Sequence, residues 1–283
     1  MSLSLRSPAL AMRSHHLSDA KLPSDCVRVA FDLGSNNGKD TVALLSQGFC
    51  VLAVDANPAM VIEVHKRLLS ISPVQRKRAV VINVGLGEVP DNSTFYLTRS
   101  TIHSSFDQRK ALHHDPKATK LVVPTIRCEW LWSLVPTRPE YVKIDIEERH
   151  YVCVEALERL APQRRPLYLS WENHDFAKGL PYPELDRQLL ALTARLGYTH
   201  AKVLSNNWGG HRSVTGDGGE YRTLESRVDF RNDYSAAGKA NRTWRTIDEV
   251  TSNLPSKRGS RARADWFDFV VKRSGIDSFR AER

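Results

Sequence analysis

The stretch Val27-Arg28-Val29-Ala30-Phe31-Asp32-Leu33-Gly34-Ser35-Asn36-Asn37-Gly38 decides the fold. Its first seven residues are a β-branched, apolar run that reads as a buried strand. Gly34 then lets the chain turn sharply, and Gly38 to Gln47 reads as a helix with Val42, Leu44 and Leu45 inward. Gly34 and Gly38 are expected to leave room for a ligand against the backbone, and Asn36 to tolerate left-handed dihedrals. A dinucleotide fingerprint needs glycines at i, i+2 and i+5. Those positions are Gly34, Asn36 and Lys39. An adenosyl ligand without a pyrophosphate therefore fits better, and S-adenosylmethionine (SAM) is the common one.

The pattern continues outward. Cys50–Val54 reads as a second buried strand ended by Asp55, Pro58–Ser70 as a helix with proline in its first turn, and Ala79–Val84 as a third strand. Strand and helix in alternation imply an open, mostly parallel sheet. Asp55 stands about 20 residues past the glycine turn, where an acid can accept both ribose hydroxyls. Read alone, a strand-terminal Asp is equally a helix cap. Ala56 and Asn57 would line the adenine side, and Asn83-Val84-Gly85 would meet the ring. The expected cofactor-binding set is thus Asp32, Gly34, Ser35, Asn36, Gly38, Asp55, Ala56, Asn57, Asn83, Val84 and Gly85.

Downstream, Thr94–Leu97 reads as a short edge strand, His103–Lys120 as a polar loop or short helix over one sheet end, and Leu121–Ile126 as another short strand. Glu129–Leu134 is a helical turn, Tyr141–Ile146 a fourth core strand, Tyr151–Leu160 a helix and Leu167–Trp171 a fifth strand. Glu184–Leu196 carries Leu185, Leu189, Leu192 and Leu196 on one face, an amphipathic helix that Gly197 ends. His200–Leu204 and Trp266–Val271 read as the last strands. Residues 1–25 read as a flexible tail, 26–273 as one domain with residues 205–264 inserted near the substrate, and 274–283 as a C-terminal tail.

Open α/β sheets bind ligands beyond the carboxyl ends of their strands. There Lys143, Asp145 and Glu147 alternate with Ile144 and Ile146, and the next strand ends in Trp171-Glu172-Asn173-His174. Lys143, Asp145, Glu147, Glu172 and His174 are the catalytic candidates, with Asp145, Glu172 or His174 as the base. The plainer reading of Lys143 is an internal ion pair. Asp145, Glu172 and Asn173 are hard oxygen donors and form a weak candidate set for a divalent metal; no metal is expected otherwise.

These residues, together with Ser104-Ser105, resemble the FkbM-type methyltransferase family over residues 27–205 and the closing strand, and Lys143-Ile144-Asp145-Ile146-Glu147 is the most specific element. The resemblance implies a Rossmann-like class I methyltransferase fold with a mostly parallel seven-stranded sheet flanked by helices, SAM as cofactor, and O-methylation of a hydroxyl. Ser104 and Ser105 would then sit near the methyl group on the substrate side. The family run commonly continues Glu-Gly-x-Glu, whereas this chain has Glu147-Glu148-Arg149-His150.

Composition narrows the partners. The formal charge is +9, with 41 Lys and Arg against 32 Asp and Glu, a field that favours anionic partners. A small-molecule or saccharide acceptor is the first expectation; a nucleic-acid methyltransferase and a non-catalytic SAM-binding protein are the alternatives. No apolar run reaches the roughly 20 residues of a membrane span. Cys26, Cys50, Cys128 and Cys153 have no metal or redox spacing and read as buried thiols in a reducing compartment. The cytoplasm is the expected location; the basic, acid-poor leader leaves an organelle transit peptide as the alternative.

Overall fold

A strand whose residues are all buried hides both of its faces, and the computed structural model shows this for the run Val29–Leu33 inside a sheet. It describes residues 20–172, 184–205, 244–254 and 267–273. In chain order the first half holds β1 (Val29–Leu33), α1 (Lys39–Ser46), β2 (Cys50–Asp55), α2 (Pro58–Leu69), α3 (Pro73–Arg76), β3 (Ala79–Asn83), β4 (Gly85–Gly87), β5 (Asp91–Leu97), α4 (Gln108–His114) and β6 (Thr119–Arg127). The second half holds β7 (Tyr141–Ile144), α5 (His150–Ala156), β8 (Tyr168–Glu172), α6 (Glu184–Arg195), β9 (Tyr198–Ser205), β10 (Arg245–Thr246), α7 (Ile247–Asn253) and β11 (Phe267–Arg273).

The main sheet has the order β10-β9-β11-β8-β7-β1-β2-β3. Strands β3, β2, β1, β7 and β8 are mutually parallel, and β11 runs antiparallel between β8 and β9. The sheet is therefore mixed and eight-stranded, not seven-stranded. The additional strand is the two-residue β10, which lies within the stretch expected to be an insertion. Strand order reverses between β1 and β7, the topological switch at which such sheets open a crevice.

Period-2 geometry splits the core in two. Val29, Phe31 and Leu33 pack with Leu131, Trp132, Val152 and Leu189 on one face, and Ala30 and Val51 pack with Leu44, Leu45 and Val64 under α1 and α2 on the other. Asp32 and Lys143, neighbours in the β1–β7 register, are both buried.

Several expectations change. Residues 94–97 and 121–126 do not border the main sheet: β5 and β6 pair with each other over seven residues, and β6 also pairs with β4, forming a separate three-stranded sheet. Alternation shows that a strand has an inner face but not which strand it joins. The fourth core strand stops at Ile144, two residues early, because the chain turns through a positive φ of 56° at Glu147. Leu22, expected in the tail, is buried and donates its N–H to the Leu134 carbonyl.

The cysteines are paired, not free. Cys26 bonds Cys50 with a Cα separation of 5.9 Å, and Cys128 bonds Cys153 at 5.2 Å. Such bridges persist in oxidising compartments, against the expectation of a reducing one.

Candidate functional site

The site grows from the turn after β1. Gly34 has φ 80°, and a Cβ there would lie 1.8 Å from the Asp145 carbonyl oxygen. Gly38 has φ 77°, and a Cβ there would meet Val64 of α2 at 3.1 Å. Both glycines thus make room for neighbouring protein backbone. The turn is fastened to β2: the N–H groups of Gly34 and Ser35 both donate to the Val54 carbonyl, at 2.9 and 3.1 Å. Arg67 Nε donates to the Asn37 carbonyl at 2.7 Å and holds the turn from α2. Asn36 sits at φ 46°, as its side chain tolerates.

Asp55 closes β2 half-buried. Its Oδ2 accepts the Asn36 N–H at 2.7 Å and its Oδ1 the Asn57 N–H at 2.8 Å. The α2 cap is Asn57, whose Oδ1 accepts from Ala59 N at 3.0 Å, so Asp55 is not the cap. Burial pushes the Asp55 carboxyl up to about 6, against the pull of those two amides. A carboxylate has about four lone-pair sites, and two are used. The Ser35 hydroxyl, buried in the same turn, has no hydrogen-bond partner among the described residues. Asn83 donates from Nδ2 to the carbonyls of Asp55 and Ala56 at 2.9 and 3.1 Å, so its amide holds the β2–α2 turn. Val84 is buried, and Gly85 backs onto Phe106, whose ring would lie 2.5 Å from a Cβ there.

Lys143 is buried among oxygens. Its Nζ lies 2.9 Å from Asp40, 3.1 Å from Asp145 and 3.4 Å from Asp32, with the Gly34 carbonyl at 3.5 Å. Thr41 Oγ1 donates to the other Asp32 oxygen at 2.6 Å. Burial pushes the Asp32 carboxyl up, with Lys143 pulling it down. Among the described residues three carboxyls thus gather around this one ammonium on the crest between β1 and β7. Asp40 and Thr41 escaped sequence reasoning; an acid in a helix's first turn was the available signal.

The second cluster lies where the small sheet meets β7. Lys110 Nζ of α4 is 2.5 Å from both Glu147 and Glu148. Burial pushes Glu147 up to about 7 against the attraction of Lys110, whose own ammonium the two acids hold well above its ordinary range. Ser105 Oγ donates to Glu148 at 2.7 Å and accepts from Asp107 N at 2.8 Å, while Ser104 Oγ accepts from Thr98 N at 3.1 Å. Both serines are buried and engaged within the protein. His150 is fully buried; desolvation lowers it to about 4, so its ring is neutral. No sequence signal linked Lys110 to residues 37 and 38 positions away.

Glu172 closes β8 half-buried, one position beyond the Ile144–Trp171 pair and so level with Asp145. His174 and Asn173 lie outside the described residues. Among the described residues no three His, Cys, Asp or Glu side chains gather as a metal site.

No protein-family model matches the chain, and no curated protein matches it. Solved structures do. A SAM-dependent methyltransferase from Archaeoglobus fulgidus is 12% identical over 88% of this chain and 87% of that one, at a TM-score of 0.41. An rRNA methylase from Streptococcus thermophilus is 12% identical over 91% of each chain, at 0.38. Precorrin-6y C5,15-methyltransferase from Geobacter metallireducens GS-15 is 10% identical over 91% of this chain and 84% of that one, at 0.38. At these scores the fold and the site stand on the strand order and side chains already described, not on the likeness.

Proposed function

We propose that the chain is a SAM-dependent methyltransferase that methylates a hydroxyl oxygen of a small molecule or sugar. One observation carries the reading: among the described residues Asp32, Asp40 and Asp145 gather around Lys143 on the crest between β1 and β7, and Asp55 stands at the end of the adjacent β2. This carboxyl-rich crest suits a cationic adenosyl ligand better than a pyrophosphate. The residues fit the cofactor: Asp55 keeps acceptor capacity for two ribose hydroxyls, and the Ser35 hydroxyl is buried with no partner among the described residues. SAM, when bound, supplies an electrophilic methyl group.

The chain's own residues then have distinct work. Asp55 accepts the ribose hydroxyls, as a carboxylate above pH about 6. Lys143 holds Asp145 in place at 3.1 Å. Asp145, partly exposed at the strand end, takes the acceptor's proton, with Glu172 level with it and His174 as the further candidate base. Lys110 fixes Glu147 and Glu148 beside them. Within this class, the run from Lys143 to Glu147 supports the FkbM-type assignment.

Isothermal titration with S-adenosylhomocysteine tests the reading. Micromolar-range binding is expected, weakened about ten- to a hundredfold by Asp55→Ala. Absence of binding, or binding indifferent to that substitution, overturns it. The acceptor is sought by mass spectrometry, as the metabolite gaining one CH₂ on incubation with SAM. The charge of +9 favours a nucleic-acid acceptor as the second reading; RNA binding that falls steeply with salt would support it.

A further inference from the structure

At the far end of α2 from the crest, the outer edge of the main sheet carries a groove of about 440 Å³, lined by Ile62, Leu68, Leu69, Arg76, Ala79 and Val81 among others. Strand β3 forms its floor, and among the described residues no strand pairs with the outer side of β3. The Arg78 carbonyl accepts from Val51 N of β2. Backbone groups alternate in direction along a strand, so the N–H and C=O of Ala79 and Val81 point away from β2. Their side chains face α2.

The walls are unusual for solvent. Leu69 is 68% exposed and Ile62 44%. Lys66 and Arg76 line it, Lys77 and Arg78 follow in sequence just before β3, and Glu63, the acid of this stretch, pairs with Lys66 at 2.7 Å. Amide groups on a strand edge, apolar walls at alternate positions and a basic rim together describe a receptor for an extended peptide. A nucleic acid fits less well, because it has no amide ladder to offer and needs aromatic platforms for its bases, whereas His65 is the one ring lining the groove.

We infer that this edge binds an extended, acidic segment of a partner protein, which adds as a strand beside β3. Alternate apolar side chains of the segment enter the groove against Ile62 and Leu69, and its carboxylates meet Arg76, Lys77 and Arg78. The inference is independent of the methyltransferase reading, since the groove lies at the amino end of β3 and the crest at the carboxyl ends.

The probe is a fluorescein-labelled peptide, Glu-Glu-Val-Thr-Val-Thr-Val-Glu-Glu, titrated with the full chain and followed by anisotropy. Saturable binding is expected, weakened about tenfold or more by Leu69→Glu and by Arg76→Glu, and lost when the probe's glutamates become lysines. Unchanged thermal melts show that both variants fold. The inference falls if the wild-type chain gives no saturable binding, which leaves the cations as guards against edge-to-edge aggregation. It falls equally if both variants bind as before, if a single-stranded RNA of equal charge binds with the same sensitivity to them, or if the chain self-associates through this edge instead.

Discussion

The Asp55 carboxyl titrates near neutrality because the end of β2 withdraws it from water, and the amides of Asn57 and Asn36 restore its charge only in part. Its pKa is raised from 3.8 to about 6, so the acceptor form is lost as pH falls through that value. S-adenosylhomocysteine affinity should therefore fall from pH 7 to pH 5 with a break near 6, and Asp55→Asn should be weak and flat over the same range in calorimetry. Asp186, buried on α6, is raised further, to about 7, by burial, with the Trp171 indole donating to it at 3.2 Å. A raised carboxyl stabilises the fold fully below its unfolded value of 3.8, and that contribution is lost as pH rises through about 7. Asp186→Asn keeps an oxygen for the indole and cannot ionise. Its unfolding free energy relative to wild type, read by urea unfolding, should rise between pH 5 and pH 8 by an amount on the order of 2 kcal/mol; a difference constant with pH would contradict this. Asp55 was legible in the sequence because its meaning is local, an acid at a fixed distance past a glycine turn. Asp40 and Lys110 were not, since their partners lie 103 and 37 positions away and only the folded chain brings them together.

The β1–α1 turn and the β7 end are one mechanical unit. Leu33 O receives the Asp145 N–H at 2.8 Å, and Gly34 leaves no room for a Cβ beside the Asp145 carbonyl. Gly34→Ala combines that overlap with a positive φ, so a loss of roughly 2–4 kcal/mol is expected in urea unfolding. Gly38→Ala meets Val64 at a more tolerant 3.1 Å and should cost less. On the other flank, Lys110 joins α4 to the turn after β7. Lys110→Met removes the ammonium that faces both Glu147 and Glu148 and should destabilise by about 3 kcal/mol at pH 8. The defect should shrink toward pH 5, below the raised pKa of about 7 at Glu147. The parallel core strands were readable because each is a short, mostly apolar run. The small sheet was not: β4 is only Gly85-Leu86-Gly87, too short for any period, and β5 and β6 alternate in a way compatible with several neighbours. The two residues of β10 carry no pattern at all.

Across the whole molecule, two covalent ties span elements that the sheet alone does not join. The Cys26–Cys50 bridge fastens the approach to β1 onto β2, and Cys128–Cys153 fastens the turn before β7 onto α5. The loops they close, 24 and 25 residues apart in sequence, each contribute about 3 kcal/mol in the chain-entropy account. Reduction should then lower Tm by roughly 5–15 °C, and the unfolded, unreduced chain should show no thiol to Ellman's reagent; four reactive thiols would remove both bridges. The sheet's order carries a different consequence. Strand β11 lies between β8 and β9 although it is the last strand in the chain. During synthesis, β9 leaves the ribosome about 60 residues ahead of it, a wait of roughly 3–12 s at the usual rates. For that interval the parallel strands end at an open β8 edge with β9 not yet tied to it, and a chaperone or a wrongly added strand has its opportunity there.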